Sequence, residues 1–237
     1  MNLTKSQILS LSIVVLAMGY ILSVLFKLNG LQTISRGMIF PLFVLLYFLQ
    51  SKTKNIFFAG FLILFSISES IYAFCPGNNY IYYFCNTMSV LAYLSLAIYF
   101  IRRMNVFILF NRFKVFLLVL VICNSYIVYM LNDIILSDPN VNFLTVAFFL
   151  ECFYNLSILI ALSFSLLSYL YHDSKEDLLL FLATACIVFS EVVQVANMYA
   201  SENNLLAVIY AVLFTAGLAL VYAYIISKMN TYYRVLF

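Results

Sequence analysis

Eight stretches of this 237-residue chain stay apolar long enough to cross a hydrocarbon layer as helices, and that decides the class of fold before any single residue is considered. A layer of about 30 Å takes about 20 helical residues. Such stretches fall at about 7–26, 37–50, 55–74, 80–101, 115–132, 141–170, 178–200 and 204–227. Backbone groups in lipid have no water to bond, so each stretch is expected as a helix. No run of ten-residue segments alternates with period two, which argues against a β-barrel. At 66% hydrophobic and 9% charged residues, the chain also lacks the polar surface that a water-soluble domain needs. The expectation is one all-α domain over residues 1–237, a polytopic bundle of eight transmembrane helices. The second stretch is short and is expected to recruit residues 33–36, with Arg36 reaching up to the interface. Residues 106–110, Val-Phe-Ile-Leu-Phe, are too few to cross and are flanked by Arg103 and Arg112, so they are placed along the interface.

Ten of the 12 Lys and Arg residues fall on the side that holds both termini; only Lys27 and Arg36 fall on the other. Basic residues collect in cytoplasmic loops, which points to a bacterial inner-membrane protein with both termini cytoplasmic. The net charge of +3 reflects that skew and no nucleic-acid surface. One Lys5 precedes an apolar run without a small-residue cleavage pattern, so the N-terminal segment reads as an uncleaved span. Five cysteines show no C-x-x-C pairing and read as small buried apolar side chains, with a Cys75–Cys85 bridge as the alternative. Turn signals stand at 27–30, 50–54, 75–79, 136–140, 171–177 and 201–204. Asp173 or Ser174 is expected to cap the seventh span, with Glu176 and Asp177 in its first turn.

Within these spans the charged residues are Glu69, Glu151 and Glu191, and no Lys or Arg inside the spans pairs with them. A charge at the bilayer centre costs at least about 2.5 kcal/mol, so such residues normally face the interior and serve function. By a rise of about 1.5 Å per residue, Glu69 lies roughly 9 Å, Glu191 about 13 Å and Glu151 about 15 Å below the outer ends of their spans. Asn86 and Asn124 fall at a similar level, so five helices bring polar groups to one layer in the outer half. Ser190, Glu191, Gln194 and Asn197 share one arc of the seventh span. Glu151, Tyr154 and Asn155 stand at i, i+3 and i+4 on the sixth. Either the layer is a polar chamber open to the outer leaflet, or it is a set of interhelical hydrogen bonds holding the bundle. Ser68-Glu69 and Ser190-Glu191 both come late in an outward-running helix, and each is followed by an Asn-Asn turn. This raises a four-plus-four internal duplication.

In a chamber walled by Leu, Ile and Phe, desolvation favours the neutral form of a carboxyl group. One acid is then expected to protonate a substrate while a better solvated one stays ionised. Such a pair suits hydrolysis through an oxocarbenium-like state. A zinc site is not credible, because the only histidine is His172 in a loop. There is no G-x-S-x-G elbow and no phosphate-cradling glycine loop.

The eight spans, the stretch Gly60-Phe-Leu-Ile-Leu-Phe-Ser-Ile-Ser-Glu69, the stretch Ile187-Val-Phe-Ser-Glu191 and the aromatic-bearing last span from Ile209 resemble the lysoplasmalogenase (YhhN-like) family. Members of that family carry Asp where this chain has Glu69 and Glu191. Three further positions differ. Phe40 replaces the basic residue before the proline of span two, with Arg36 one turn earlier as its substitute. No polar or histidine residue is evident among Val90-Leu-Ala-Tyr-Leu-Ser95, and the glutamine of the last span is lost around Thr215-Ala-Gly217. The resemblance implies hydrolysis of the vinyl ether of lysoplasmalogens, with a lysophospholipid as substrate and neither cofactor nor metal. Glu69 and Glu191 would be catalytic, Glu151, Gln194, Asn197, Asn86 and Asn124 would support them, and Arg36 would receive the phosphate. A non-catalytic lipid-binding protein, a small proton-coupled carrier and a structural membrane subunit remain open on the same residues.

Overall fold

A computed structural model describes residues 5–236 apart from 52–53, 76, 78, 138–141 and 200–203. Among these residues there are nine helices and no strand: α1 (Lys5–Leu25), α2 (Asn29–Gln50), α3 (Ile56–Phe74), α4 (Asn79–Arg103), α5 (Val106–Arg112), α6 (Lys114–Leu136), α7 (Val146–His172), α8 (Lys175–Tyr199) and α9 (Asn204–Leu236). All but α5 are long and apolar enough to cross a membrane, and the chain is an integral membrane protein. The turns expected at 50–54, 75–79, 136–140 and 201–204 fall wholly or partly outside the described residues. Below, the proximal end of the bundle is the one where α1 begins, and the distal end is the one where α1 stops and α2 starts.

Seven helices form a closed ring in the order α1, α2, α3, α4, α7, α8, α9, with α9 returning to α1 and also touching α2. Helix α6 stands outside the ring against α7 and α8, and Leu131 and Ile135 are its buried side chains. Both halves of the chain repeat one neighbour order: α1 to α4 pack in sequence, and so do α6 to α9. The two Ser-Glu pairs occupy matching helices, α3 and α8.

Helix α2 begins at Asn29, ahead of the residues 33–36 expected to extend it, so Arg36 is an internal residue and does not reach up to the interface. Hydropathy counting stops at a charge, yet a charge that finds its partner inside a bundle does not end a helix. Pro41 lies inside α2 and cannot donate to Gly37 O. Ser70 Oγ on α3 supplies the missing donor at 2.8 Å, the kind of repair that lets proline sit in a membrane helix. Small residues bring the neighbouring backbones close. A Cβ on Gly37 would fall 2.6 Å from the Phe74 ring, and one on Gly217 would fall 2.7 Å from Ile187 Cγ1 and 3.2 Å from Ala183 O. Backbone cannot yield as a side chain does, so Gly217→Ala is expected to cost about 1–3 kcal/mol. It should lower the thermal midpoint in detergent, whereas Gly30→Ala, with open space around it, should leave the midpoint unchanged.

Along α3, Phe58, Phe61 and Phe65 recur on one face and join Tyr93, Tyr99, Phe40 and Phe214 in a buried aromatic stack. The Phe40 and Phe65 ring centroids are 4.7 Å apart and those of Phe65 and Tyr93 are 5.4 Å apart. This stack fills the middle of the ring and separates its two polar ends.

At the proximal end, Ser174 Oγ accepts from Asp177 N at 3.0 Å and caps α8. Asp173 instead adopts a left-handed conformation (φ 49°) as the C-cap of α7. Asp177 is more than a first-turn acid, since Arg103 donates to its Oδ1 at 2.7 Å and to its Oδ2 at 3.2 Å. His172, expected in a loop, ends α7, with its ring Nδ1 3.0 Å from Ser168 O. The five cysteines are free, and Cys75 and Cys123 are exposed, so neither the bridge nor general burial holds; Cys85 alone is fully buried.

Candidate functional site

Five helices do bring polar side chains to one level in the distal half, though the five differ from those expected. Arg36 on α2, Glu69 on α3, Asn86 on α4, Glu151 on α7, and Glu191 with Gln194 on α8 line a single cavity of about 50 Å³. Ser68, Ser89 and several tyrosines complete its wall. A cavity of that size accommodates a few water molecules.

The three acids differ in what they touch. Glu69, 6% exposed, is paired with Arg36, whose Nε donates to Oε2 at 2.7 Å and whose Nη2 donates to Oε1 at 3.3 Å. Two N–H groups aimed at two carboxylate oxygens make the directed form of an ion pair. The Tyr72 and Tyr210 rings lie over the guanidinium, with centroids at 5.3 and 5.4 Å, and their faces favour a cation. The expectation that no cation inside the spans pairs with these acids is therefore corrected. Glu191, 4% exposed, accepts from Tyr154 Oη at 2.7 Å through Oε2, while its Oε1 is buried without a hydrogen bond among the described residues. Glu151 Oε1 accepts from Asn86 Nδ2 at 3.0 Å and from the Tyr82 hydroxyl.

These contacts repeat between the halves. In each, the second helix of the set supplies a donor to the glutamate of the third: Arg36 to Glu69, and Tyr154 to Glu191. Ser68 behaves differently from Ser190. Its Oγ reaches α4, 2.7 Å from Ser89 Oγ and 2.9 Å from Cys85 O, whereas Ser190 Oγ bonds Ile187 O within its own helix.

Two expected members lie elsewhere. Asn124 donates to Ser163 Oγ at 2.7 Å between α6 and α7. Because α6 runs on to Leu136, Asn124 lies about 18 Å from the distal end by helical rise, well below the layer. Asn197 lines a neighbouring cavity of about 140 Å³ instead. Glu151 lies nearer the distal end than expected, because α7 begins at Val146, which puts it about 8 Å down. Asn155 is fully buried away from the cavity.

Tyrosines make up most of what the sequence reading missed. Tyr82 and Tyr199 line the cavity, and Tyr93, fully buried, packs edge-on against Tyr154 with centroids 6.0 Å apart. Phe40 belongs to the aromatic floor, and Arg36 one turn away carries the charge. The available signal was composition: 19 tyrosines and no tryptophan, many of them well inside spans, where a phenol seeks a partner.

Fold and site together define a polytopic helical membrane protein with acid groups gathered around a small polar cavity in one half of the bundle. No family model, no curated protein and no solved structure matches the chain.

Proposed function

We propose that this protein is a membrane-embedded lipid hydrolase, resembling the lysoplasmalogenase family, that cleaves the vinyl ether of lysoplasmalogen-type lysolipids by carboxylate acid and base catalysis. One observation carries the reading. Glu69 and Glu191 line the same cavity, yet one is clamped by a guanidinium and the other has only a phenol and an unbonded oxygen. Two carboxyl groups in environments this different divide into a charged and a neutral partner.

In this mechanism Glu191, as the acid, gives its proton to the vinyl carbon β to the ether oxygen, and the positive charge passes to the adjoining carbon and oxygen. The Glu69 carboxylate faces that oxocarbenium and stabilises it electrostatically. A cavity water adds to the positive carbon and returns a proton to Glu191. The hemiacetal then breaks, giving a fatty aldehyde and the freed glycerol hydroxyl. Tyr154 orients Glu191, and Asn86 and Tyr82 hold Glu151 as a second carboxyl group at the cavity wall. A cavity of about 50 Å³ is too small for the substrate's headgroup, so entry requires the distal helix ends to part. In this reading the distal end faces the non-cytoplasmic side and both termini lie in the cytoplasm, an orientation that the Lys and Arg distribution supports.

Purified protein supplied with a lysoplasmenyl lipid should release fatty aldehyde and glycerophospho-base in equal amounts, read by coupling the aldehyde to alcohol dehydrogenase. The runner-up, a proton-coupled carrier using the same glutamates, needs a path through the bundle. The aromatic stack below Glu69 sets packed rings across that path, which supports the enzyme reading. Solute uptake driven by a pH gradient in vesicles, with no aldehyde formed from any lysoplasmenyl lipid, would reverse the choice.

A further inference from the structure

A third cavity lies in the proximal half, across the aromatic stack from the acids. It measures about 570 Å³ and is walled by α1, α2 and α9, within the range of about 300–1,000 Å³ typical of small-molecule sites. Leu11, Ile13, Val14, Phe43, Leu218 and Ile226 make up its body. Leu11 and Val14 are exposed, so the cavity opens at the surface of the bundle, where the surrounding lipid reaches it. An apolar groove on a membrane protein is ordinary, because acyl chains are as apolar as leucine. This one differs in where its polar groups stand and in what it lacks.

Its polar groups gather at one end. Gln7 lies in the first turn of α1 and Gln50 closes α2, both at the proximal rim. Ser10 and Tyr222 come next; Ser10 is about 5 Å deeper than Gln7 by helical rise, and the Tyr222 hydroxyl donates to its Oγ at 3.0 Å. At the inner end Thr215 gives its hydroxyl to Ala211 O at 2.8 Å within its own helix, so it adds no polar group to the lining there. No Asp, Glu, Lys, Arg or His lines the cavity.

Length fits one leaflet. From Gln7 to Ala17 on α1 is about 15 Å, and from Thr215 to Ile226 on α9 about 17 Å, against about 15 Å for half of the hydrocarbon layer. A void of this kind forfeits dispersion contacts along its walls, and an apolar cavity does not hold water. An alkyl chain lying along it restores those contacts and brings its head to the level of Ser10 and Tyr222. That level is below the rim, where a phosphate or carboxylate would find no countercharge. A hydroxyl head meets hydroxyls and carboxamides, which both donate and accept.

We propose that this cavity binds the alkyl chain of a lipid with an uncharged hydroxyl head, of the fatty alcohol or monoacylglycerol class, drawn from the proximal leaflet. It has no lining residue in common with the acidic chamber, and it stands whether or not the protein is a hydrolase.

Photolabelling in dioleoylphosphatidylcholine nanodiscs tests it, with a diazirine-bearing monoacylglycerol as probe and peptide mass mapping as readout. Labelling of the wild type is expected to saturate and to map to residues 7–17 and 215–226. Unlabelled monoolein should block it at a mole fraction lower by at least about tenfold than oleyl sulfate, which has a similar chain and a permanent charge. Ala17→Phe and Ala219→Phe each place a ring in the cavity from a different helix, and both should abolish the saturable labelling. Val15→Phe, on an exposed face of α1 outside the lining, should leave it unchanged. Labelling spread evenly over the outward faces of the helices, saturable labelling that persists in both alanine variants, or equal blocking by oleyl sulfate would overturn the proposal.

Discussion

Arg36→Gln is expected to destabilise the protein by about 3–5 kcal/mol, because it leaves a buried carboxylate without its cation. Glu69 is 8% exposed at its side chain and Arg36 13%, so bulk water replaces little of the lost interaction. The partner substitution decides the cause. Arg36→Gln combined with Glu69→Gln removes both charges and should recover most of the loss, since an uncharged amide pair can still hydrogen-bond in the same place. Thermal unfolding in one detergent, with the two single variants and the double variant side by side, gives the coupling energy directly. A double variant as weak as the Arg36 single would show that the guanidinium is needed for packing between the Tyr72 and Tyr210 rings and that the charge is incidental.

Glu191→Gln carries the largest expected effect on turnover. A general acid contributes typically 10²- to 10⁴-fold, and a glutamine side chain has no transferable proton, so aldehyde release should fall by that range. Folding should survive, because the amide oxygen still accepts from Tyr154. Glu151→Gln should lose much less, since Tyr82 and Asn86 donate to this side chain and an amide oxygen accepts from both. The kcat values of the two variants with a lysoplasmenyl lipid, measured alongside melting curves, distinguish a chemical role from a structural one. Wild-type turnover in Glu191→Gln would remove Glu191 from the reaction, whatever its burial.

Apolar length made the spans legible, because a segment in lipid satisfies its backbone internally or does not insert at all. The rule fails where polar residues lie at a helix end but inside the bundle. Arg36, Asp177 and Arg103 all look like boundary residues by hydropathy, yet each is held in an ion pair between helices. The acids of the chamber were legible for the converse reason, since an ionisable group deep in an apolar run has few tolerable places to go. What one sequence does not contain is rotation about each helix axis. Asn124 and Asn86 read alike along the chain, but Asn86 turns inward to Glu151 and Asn124 turns to Ser163 at the rim of α7. The tyrosines were hidden for a related reason. Apart from Tyr154, which stood beside Glu151 on one helix face, a phenol ring counts as apolar until its hydroxyl is seen to reach a carboxylate, as that of Tyr82 does.

Helix α6 stands apart from the ring, with 6% of its apolar window buried where α3 has 50%. Protein contacts therefore contribute little to its placement, and most of what keeps it upright is the solvent it shares with the fatty chains around it. Extraction into detergent replaces that solvent with a thinner, more mobile one. The first part of the molecule to loosen on solubilisation is then expected to be α6, ahead of any change in the seven-membered ring that encloses the acids.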